Sequence, residues 1–239
     1  MITHQALHAL AVKLQTTELN LRREYFQHLF LSYFYQQPAT DQIYFKGGTA
    51  LRIIYNSPRF SEDLDFSSVT RDLSIIEEAI LSTLTAISRE NINVALSEAT
   101  LTSGGYLAIV TFQANDESIA VQLEISLRKG EKRGEAMMIT SDLIPAFMII
   151  ALERDQLVYE KIQALLSRKK ARDFYDLYFI LRANLLPPER RAILTRALEV
   201  LKASNINFEK ELKEFLPRSQ WVIIRDFPRS LEREIERFL

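Results

Sequence analysis

The segment from Ile43 to Phe66 constrains the fold of this 239-residue chain more than any other, and it reads IYFKGGTALRIIYNSPRFSEDLDF. It opens with the apolar run Ile43-Tyr44-Phe45, which predicts a short buried strand. The glycine pair Gly47-Gly48 ends that strand, and Ala50 to Tyr55 then reads as a short apolar helix. The segment therefore predicts a tight strand-to-helix connection built on glycine.

The same segment ends, after a proline-containing turn, in Asp63-Leu64-Asp65-Phe66, where acidic and apolar residues alternate. Side chains of a strand point alternately to opposite faces, so Asp63 and Asp65 share one face while Leu64 and Phe66 enter the core. Two carboxylates on one face repel each other unless a cation lies between them. Mg²⁺ suits such a place, because it typically binds one or two carboxylates together with substrate phosphates.

The glycine pair supplies the second half of this predicted site. Glycine lets the backbone approach a ligand closely, and the helix that follows presents N–H groups to an anion. The order strand, Gly-Gly-Thr, helix, turn and Asp-x-Asp therefore predicts a site for a metal-bound nucleoside triphosphate. An ordinary strand-to-helix turn, followed by two exposed acids on an edge strand, is the alternative interpretation.

Three further strands are predicted at residues 91–97, 106–113 and 118–127, with turns at Gly104-Gly105 and Asn115-Asp116. The third of them is largely apolar but carries Glu124 in its middle. A carboxylate inside an apolar strand needs a partner, which makes Glu124 a candidate functional residue. A glutamate that faces solvent is the alternative.

Two strings in this chain resemble one protein family. The order Gly-Gly-Thr and Asp-x-Asp resembles the nucleotidyltransferase superfamily related to DNA polymerase beta. The fuller string KGGTAL at 46–51 with RFSEDLDF at 59–66 resembles its AbiEii/AbiGii toxin branch, which is associated with abortive phage infection and toxin–antitoxin pairs. A second string, EKIQALLSR at 160–168 followed by ARDFYDL at 171–177, resembles the same branch.

The resemblance implies roles for particular residues. It implies that Asp63, Asp65 and Glu124 bind one or two Mg²⁺ or Mn²⁺ ions, and that Glu124 helps to deprotonate the acceptor hydroxyl. It implies that Lys161 offsets phosphate charge and completes the catalytic set. The residues that it implies for binding of the NTP are Lys46, Gly47, Gly48, Thr49, Arg59, Ser61, Lys161, Arg168, Asp173 and Asp176.

Within the second string, the resemblance implies that Asp173 and Asp176 orient Lys161 or the base. The residues alone leave another interpretation open, because Arg172 and Asp176 at i, i+4 also match an ordinary surface ion pair on a helix.

The chain is predicted to be an α+β protein. Residues 1–150 are expected to form a nucleotidyltransferase-fold mixed β-sheet with flanking helices. The helical pattern predicts a helical C-terminal domain at residues 151–239, and the resemblance implies that this domain completes the active-site cleft.

Composition excludes several classes of function. The chain has no cysteine, so disulfides, thiolate catalysis and Cys-zinc sites are excluded. No apolar run approaches the roughly 20 residues of a membrane span. The N-terminus lacks the basic-then-apolar order of a secretory signal, so we expect a cytoplasmic protein without a membrane partner.

The charges are unevenly distributed along the chain. Residues 151–239 contain 18 Lys and Arg against 14 Asp and Glu, whereas residues 1–150 contain 12 against 17. An acidic metal-binding half and a basic half suit an enzyme with an RNA substrate, although scattered surface charge gives the same counts.

These features predict a Mg²⁺-dependent nucleotidyltransferase that moves a nucleoside monophosphate from an NTP to an acceptor hydroxyl. The resemblance points to the 3′ end of tRNA as acceptor and to a toxin with a cognate antitoxin encoded nearby. The alternatives are transfer to a protein or a small molecule such as an aminoglycoside, phosphoryl transfer by the same site, and a catalytically inactive nucleotide-binding module.

Overall fold

The structure, a computed structural model, describes residues 2–114 and 117–239 in two units. The first unit comprises Met1–Asn56 and Phe60–Glu153, and the second comprises Arg154–Leu239 with the short segment Ser57–Arg59. The turn predicted at Asn115-Asp116 lies outside the described residues.

The first unit contains one mixed β-sheet. Its described strands are β1 (Ile43–Lys46), β2 (Leu64–Ser68), β3 (Asn93–Thr102), β4 (Gly105–Ala114), β5 (Glu117–Ser126), β6 (Gly134–Ile139) and β7 (Phe147–Leu152). They lie in the order β3-β4-β5-β2-β1-β7-β6. β2 is antiparallel to β1 and parallel to β5, and β1 is parallel to β7. The central strands β1 and β2 are therefore those of the Gly-Gly-Thr and Asp-x-Asp segment.

Helices cover the apolar face of this sheet. The α-helices described in the first unit are α1 (His4–Lys13), α2 (Glu18–Phe34), α3 (Gly47–Tyr55) and α4 (Leu73–Ser88), and a 3₁₀ turn covers Thr40–Gln42. Phe26 of α2 stacks on Phe112 of β4 with 4.4 Å between ring centroids. The ring centroids of Phe34 in α2 and Phe66 in β2 lie 5.4 Å apart. These aromatic contacts place α2 against the centre of the sheet.

The alternation along β2 is the one expected from the sequence. Leu64 and Phe66 are fully buried, whereas Asp65 between them is partly exposed on the other face. The prediction that Leu64 and Phe66 enter the core is confirmed, and so is the predicted α+β class with a mixed sheet and flanking helices.

Several boundaries differ from the sequence-based expectation: the strand predicted at 91–97 is Asn93–Thr102, and two further differences lie in the segment from Ile43 to Phe66. α3 begins at Gly47 instead of Ala50, because Gly47 itself makes the turn from the strand with a φ of 89°. β2 begins at Leu64, so Asp63 immediately precedes the strand.

The second unit is helical over its described residues. Its α-helices are α5 (Arg154–Arg168), α6 (Ala171–Arg182), α7 (Ile193–Lys202), α8 (Phe208–Leu212), α9 (Trp221–Arg225) and α10 (Phe227–Glu236). Short 3₁₀ helices cover Pro188–Arg190, Lys213–Phe215 and Arg218–Gln220. Tyr175 and Phe208 pack on Phe227, which is fully buried, and Phe174 contacts Phe208. Over the described parts of both units, the helices are too short or too polar to span a membrane.

Candidate active site

The turn between β1 and α3 packs directly against Asp65. A Cβ atom built on Gly47 would lie 1.9 Å from Oδ2 of Asp65, which no real side chain tolerates. The φ of 89° at Gly47 is also a conformation that only glycine adopts without strain. Glycine is therefore required at position 47 for two independent reasons, and the backbone of the turn lies beside the carboxylate of Asp65.

The first turn of α3 offers backbone N–H groups at this place. The first four N–H groups of any helix have no partner within that helix, and together with the helix dipole they favour an anion. Gly48 and Thr49 follow Gly47 in this turn and are buried. The predicted phosphate-binding residues thus open the helix, next to an acidic side chain.

Three charged residues lie in one row across the sheet. Lys46 of β1 is paired in register with Asp65 of β2, and Asp65 is paired with Glu124 of β5. Residues paired across strands point to the same face, and neighbouring strands lie about 4.8 Å apart. The face opposite the helix-covered core therefore carries two adjacent carboxylates, with a lysine on the other side of Asp65.

Glu124 lies in the middle of β5 as predicted but is exposed, so the alternative of a glutamate that faces solvent is the one observed. Ile119, Val121, Leu123 and Ile125 are the buried residues of β5, and Glu124 belongs to the alternate, open face. Its Oε1 accepts a hydrogen bond of 2.7 Å from Nε2 of Gln122. Its position beside Asp65, and not burial, is the feature that keeps Glu124 a candidate site residue.

Asp63 is connected to the helix of the glycine turn. The hydroxyl of Thr49 donates a hydrogen bond to the main-chain carbonyl of Asp63, and the side chain of Thr49 is fully buried. The sequence predicts Thr49 as a triphosphate-binding residue, and in the structure its hydroxyl joins α3 to the start of β2. Its backbone N–H remains in the first turn of α3, where an anion is favoured.

The three predicted metal ligands are not gathered into one cluster. In the described residues, no group of three or more His, Cys, Asp or Glu side chains is arranged to hold a metal ion. The adjacent pair Asp65 and Glu124 nevertheless has the chemistry that Mg²⁺ prefers, namely carboxylate oxygens with room for phosphate ligands. The pair fits a cation that the substrate's phosphates help to bind.

In the second unit, Asp176 of α6 is a buried carboxylate that binds two cationic side chains. Nε and Nη2 of Arg59 donate to its two oxygens at 2.9 and 3.1 Å, and Nζ of Lys161 donates to Oδ2 at 2.8 Å. Burial by itself would raise the pKa of Asp176, but the charges of Arg59 and Lys161 outweigh it and hold the pKa below its ordinary value of 3.8. Two positive charges and one negative charge thus form this cluster.

Asp173 caps the N-terminus of α6. Its Oδ2 accepts a hydrogen bond of 3.2 Å from the backbone N–H of Lys170, and its Oδ1 accepts one of 2.8 Å from Nη2 of Arg168. Asp173 is 1% exposed, whereas the side chain of Arg168 is 45% exposed. The geometry gives Asp173 a capping role of the usual kind for an acid in the first turn of a helix.

The predicted site residues thus fall into two sets, one in each unit. The first unit contains Lys46, Gly47, Gly48, Thr49, Ser61, Asp63, Asp65 and Glu124. The second unit contains Arg59, Lys161, Arg168, Asp173 and Asp176. The structure brings together Gly47, Asp65 and Glu124 in the first set, and Arg59, Lys161 and Asp176 in the second.

Sequence reasoning missed the polar residues of α2 that contact Ser61 and Glu62, in the loop before Asp63. Nε2 of Gln27 donates hydrogen bonds to the main-chain carbonyls of Ser61 and Glu62, and Arg23 forms a 3.0 Å ion pair with Glu62. A polar residue inside the aromatic run from Tyr25 to Phe30 is a signal that could have drawn attention to Gln27.

Comparison with known proteins gives one family, and the solved structures similar to this chain include two from Helicobacter pylori. A family model described as the nucleotidyl transferase AbiEii toxin of a type IV toxin–antitoxin system matches residues 29–237. JHP933 from Helicobacter pylori is 20% identical with a TM-score of 0.64, and the match covers 93% of each chain. A candidate nucleotidyltransferase from H. pylori is 19% identical with a TM-score of 0.56, over 93% of this chain and 99% of that one. At these identities the two structures show the fold alone. No curated protein matches the chain.

Proposed function

Because this chain belongs to the AbiEii family of nucleotidyl transferase toxins, and is a nucleotidyltransferase, we propose the following reaction for it. The chain transfers a nucleoside monophosphate from an NTP to the hydroxyl at the 3′ end of tRNA. The acceptor oxygen forms a bond to the α-phosphorus, the bond to pyrophosphate breaks, and the hydroxyl proton passes to a base.

The observation that carries this proposal is the row of Asp65 and Glu124 beside the Gly47 turn. Two adjacent carboxylates are unfavourable without a cation, since like charges raise each other's free energy at short range. A helix N-terminus next to them favours an anion. A metal-bound triphosphate satisfies both requirements at once.

Mg²⁺, or Mn²⁺ in its place, would be held by Asp65 and Glu124 with Asp63, and would supply charge neutralisation to the phosphates. The remaining roles belong to the chain itself. The first turn of α3 binds the phosphates through backbone N–H groups, with Lys46 adjoining. Glu124, which is exposed, is able to accept the proton of the acceptor hydroxyl.

Lys161 contributes positive charge toward the phosphates in this proposal, with Arg59 and Asp176 fixing its ammonium group. Preorganised charge of this kind stabilises a transition state because it need not reorient during the reaction. The expectation that the helical region completes the active site stays a prediction, and it is tested by the loss of activity in Lys161→Ala.

The proposed biological role is that of a toxin with a cognate antitoxin. The type IV description of the family supports this pairing. The tRNA acceptor is supported by the toxin class, since modified tRNA ends block translation, and by the basic balance of residues 151–239.

The test uses purified protein, Mg²⁺, bulk tRNA and each α-³²P-labelled NTP in turn, with Asp63→Ala/Asp65→Ala as control. We expect label in tRNA with the wild type alone, and the labelled NTP that works identifies the preferred nucleotide. Parallel reactions with γ-³²P label separate phosphoryl transfer from nucleotidyl transfer.

Label in a protein or an aminoglycoside, with none in tRNA, contradicts the proposed acceptor while leaving nucleotidyl transfer intact. Equal transfer by the wild type and by the double variant contradicts the assignment of the carboxylates.

A further inference from the structure

The loop that leads into the Asp-x-Asp strand has three consecutive main-chain carbonyls bound by buried side chains. The carbonyls of Ser61 and Glu62 accept hydrogen bonds of 2.9 and 3.0 Å from Nε2 of Gln27. The next carbonyl, that of Asp63, accepts from the hydroxyl of Thr49. Both donors come from elements distant in sequence, so the path of the loop is set by tertiary contacts.

Gln27 is an unusual residue for its surroundings. It lies on α2 between Phe26 and His28 and is 1% exposed. An amide group has two N–H donors on one nitrogen, and both carbonyl contacts are made by that nitrogen. Burying a polar amide is unfavourable unless its hydrogen bonds are made. The Gln27 contacts therefore form a fixed connection between α2 and the loop.

Neighbouring residues of α2 hold the other parts of the same segment. Glu24 accepts hydrogen bonds of 2.7 and 3.2 Å from Nε and Nη2 of Arg52 on α3. Arg23 forms a 3.0 Å ion pair with Glu62. Residues 23, 24 and 27 lie on one side of α2, as the i, i+1, i+4 spacing requires. One helix thus contacts both the helix of the glycine turn and the loop before the acids.

The contacts of Gln27 are important because the carboxylate of Asp65 has little room to move. The carboxylate lies against the backbone of Gly47, where even a methyl group would collide with it. Asp65 follows Glu62 by three residues, so a shift of the loop carbonyls moves the start of β2. A displacement of about 1 Å is enough to weaken a catalytic arrangement substantially.

We propose that Gln27 is a positioning residue for the carboxylates of Asp63 and Asp65. By binding the carbonyls of Ser61 and Glu62, it fixes the loop and thereby the separation between the acids and the glycine turn. This inference rests on the proposed metal-binding role of these acids. Gln27 itself contacts neither metal nor substrate in this scheme.

The test compares Gln27→Met with Leu84→Ala. Methionine has about the length of glutamine but no N–H donor, so the hydrogen bonds are lost while the volume is retained. Leu84 is a buried residue of α4, and its truncation destabilises the first unit while removing no hydrogen bond to the loop. Each protein is measured at the same interval below its own melting temperature, which removes the effect of reduced stability.

Two readouts are independent of catalysis. Amide hydrogen exchange over residues 60–66 is measured without metal or nucleotide. The Mn²⁺ dissociation constant is measured by electron paramagnetic resonance with a non-hydrolysable NTP. We expect Gln27→Met to accelerate exchange and to raise the Mn²⁺ dissociation constant, each at least fivefold, whereas Leu84→Ala changes neither.

The inference is overturned if Gln27→Met matches Leu84→Ala in either readout, or if the wild type has no measurable Mn²⁺ affinity. The transfer assay keeps the two proposals apart. A wild type that transfers no label to any acceptor rejects the proposed function, even when the Mn²⁺ readout supports the role of Gln27. An active wild type with a Gln27→Met variant that behaves like Leu84→Ala rejects the role of Gln27 alone.

Discussion

The predicted site acids Asp65 and Glu124 in the first unit are placed in the opposite way to Asp176 in the second. Asp65 and Glu124 lie side by side on an open sheet face, and Glu124 is exposed. Asp176 is 1% exposed and binds both Arg59 and Lys161. In the first pair two carboxylates adjoin each other, with Lys46 paired in register with Asp65, whereas in the second cluster two cations of the chain bind one carboxylate.

This difference indicates two roles for acidic residues, namely binding of an external cation and fixing of neighbouring side chains. The two sequence motifs by themselves do not distinguish these roles. Carboxylates that adjoin each other on an open face are suited to an external cation. A carboxylate whose oxygens are bound by arginine and lysine inside the protein is suited to fixing those side chains. We therefore expect substitutions in the first unit to affect activity, and substitutions at Asp176 to affect stability as well.

The largest effect is expected for Asp176→Ala. Loss of the carboxylate removes the counter-charge that Asp176 supplies to the buried Arg59 and the largely covered Lys161, and breaking a buried ion pair in this way typically costs about 3–5 kcal/mol. Urea unfolding measures the change. Because the pKa of Asp176 in the folded protein lies below 3.8, its contribution is complete above that pH and is lost as the pH falls through the folded-state pKa.

The control for this prediction is Asp155→Ala, since Asp155 belongs to the same unit but its side chain is 45% exposed. We expect a change within about 0.5 kcal/mol there. Similar losses in both variants would mean that the buried cluster is no more important than a surface pair.

Asp65→Asn is expected to change activity much more than stability, in contrast to Asp176→Ala. The free energy of unfolding should change by at most about 1 kcal/mol, because neutralising one of two adjacent acids also removes a repulsion. Nucleotidyl transfer should fall by about 10²- to 10³-fold, in line with the removal of one preorganised electrostatic contact. Single-turnover transfer and urea unfolding on the same sample measure the two quantities. A large loss of stability with unchanged transfer would mean that Asp65, like Asp176, stabilises the fold and does not act in the reaction.

Buried ionisable groups in the first unit provide a further comparison with Asp176. His28 of α2 is 3% exposed, and its Nδ1 has no hydrogen-bond partner among the described residues. Burial lowers the pKa of His28 from 6.5 to about 4, with a partial opposing effect of Glu24 and a small further lowering by Arg52. Unlike Asp176, His28 is buried in its neutral form.

This histidine predicts a pH dependence of stability. Below pH 6.5 the unfolded chain binds a proton at His28 that the folded chain does not, so the free energy of unfolding falls as the pH decreases toward 4. The difference in pKa corresponds to about 3 kcal/mol. His28→Leu should remove this component. The difference between the unfolding free energies of the variant and the wild type is measured from pH 7 to 4, and a constant difference would contradict the prediction.

Much of the fold was predictable because its signals are local. The order of Gly-Gly-Thr and Asp-x-Asp predicts the strands β1 and β2, and the alternation in Leu64-Asp65-Phe66 predicts which side chains of β2 enter the core. The alternation in β5 was also present in the sequence. Ile119, Val121, Leu123 and Ile125 alternate with polar or small residues, and a strict period of two places Glu124 on the open face.

The parts of the site that were not predictable depend on contacts between distant residues. The two carbonyls bound by Gln27 belong to residues 34 and 35 positions away. The close approach of Gly47 to Asp65 depends on the packing of a turn against a strand. The binding of Arg59 to Asp176 joins residues 117 positions apart. A single sequence shows that such polar residues need partners, but not which partners they have.

Thr49→Val tests a smaller effect within the first unit. Valine has nearly the shape of threonine, so the main consequence is that the carbonyl of Asp63 loses its donor, at about 1–2 kcal/mol. The rate of transfer should fall while the KM for NTP stays constant. The matched control is Thr83→Val, because Thr83 is equally buried and donates to the carbonyl of Ala79 in its own helix. If Thr49→Val raises the KM for NTP and Thr83→Val does not, the hydroxyl of Thr49 contacts the triphosphate, as the sequence analysis predicts.

The smallest effect is expected for Arg168→Ala in the second unit. Asp173 retains the hydrogen bond from the backbone of Lys170 when Arg168 is removed, and the arginine side chain is 45% exposed. Arg168 is exposed, and the buried Asp173 stays stabilised by the Lys170 N–H at the N-terminus of α6, so urea unfolding should detect a loss of at most about 1 kcal/mol. Arg168→Lys, which keeps the charge, serves as the control for a nucleotide contact. If Arg168→Ala instead raises the KM for NTP more than tenfold while Arg168→Lys does not, the charge of Arg168 acts on the nucleotide, as its place in the second string implies. The second unit would then contain both a buried cluster that fixes side chains and an exposed charge that acts on substrate. The distinction between a first unit that acts on substrate and a second unit that fixes side chains would hold for Asp176 but not for Arg168.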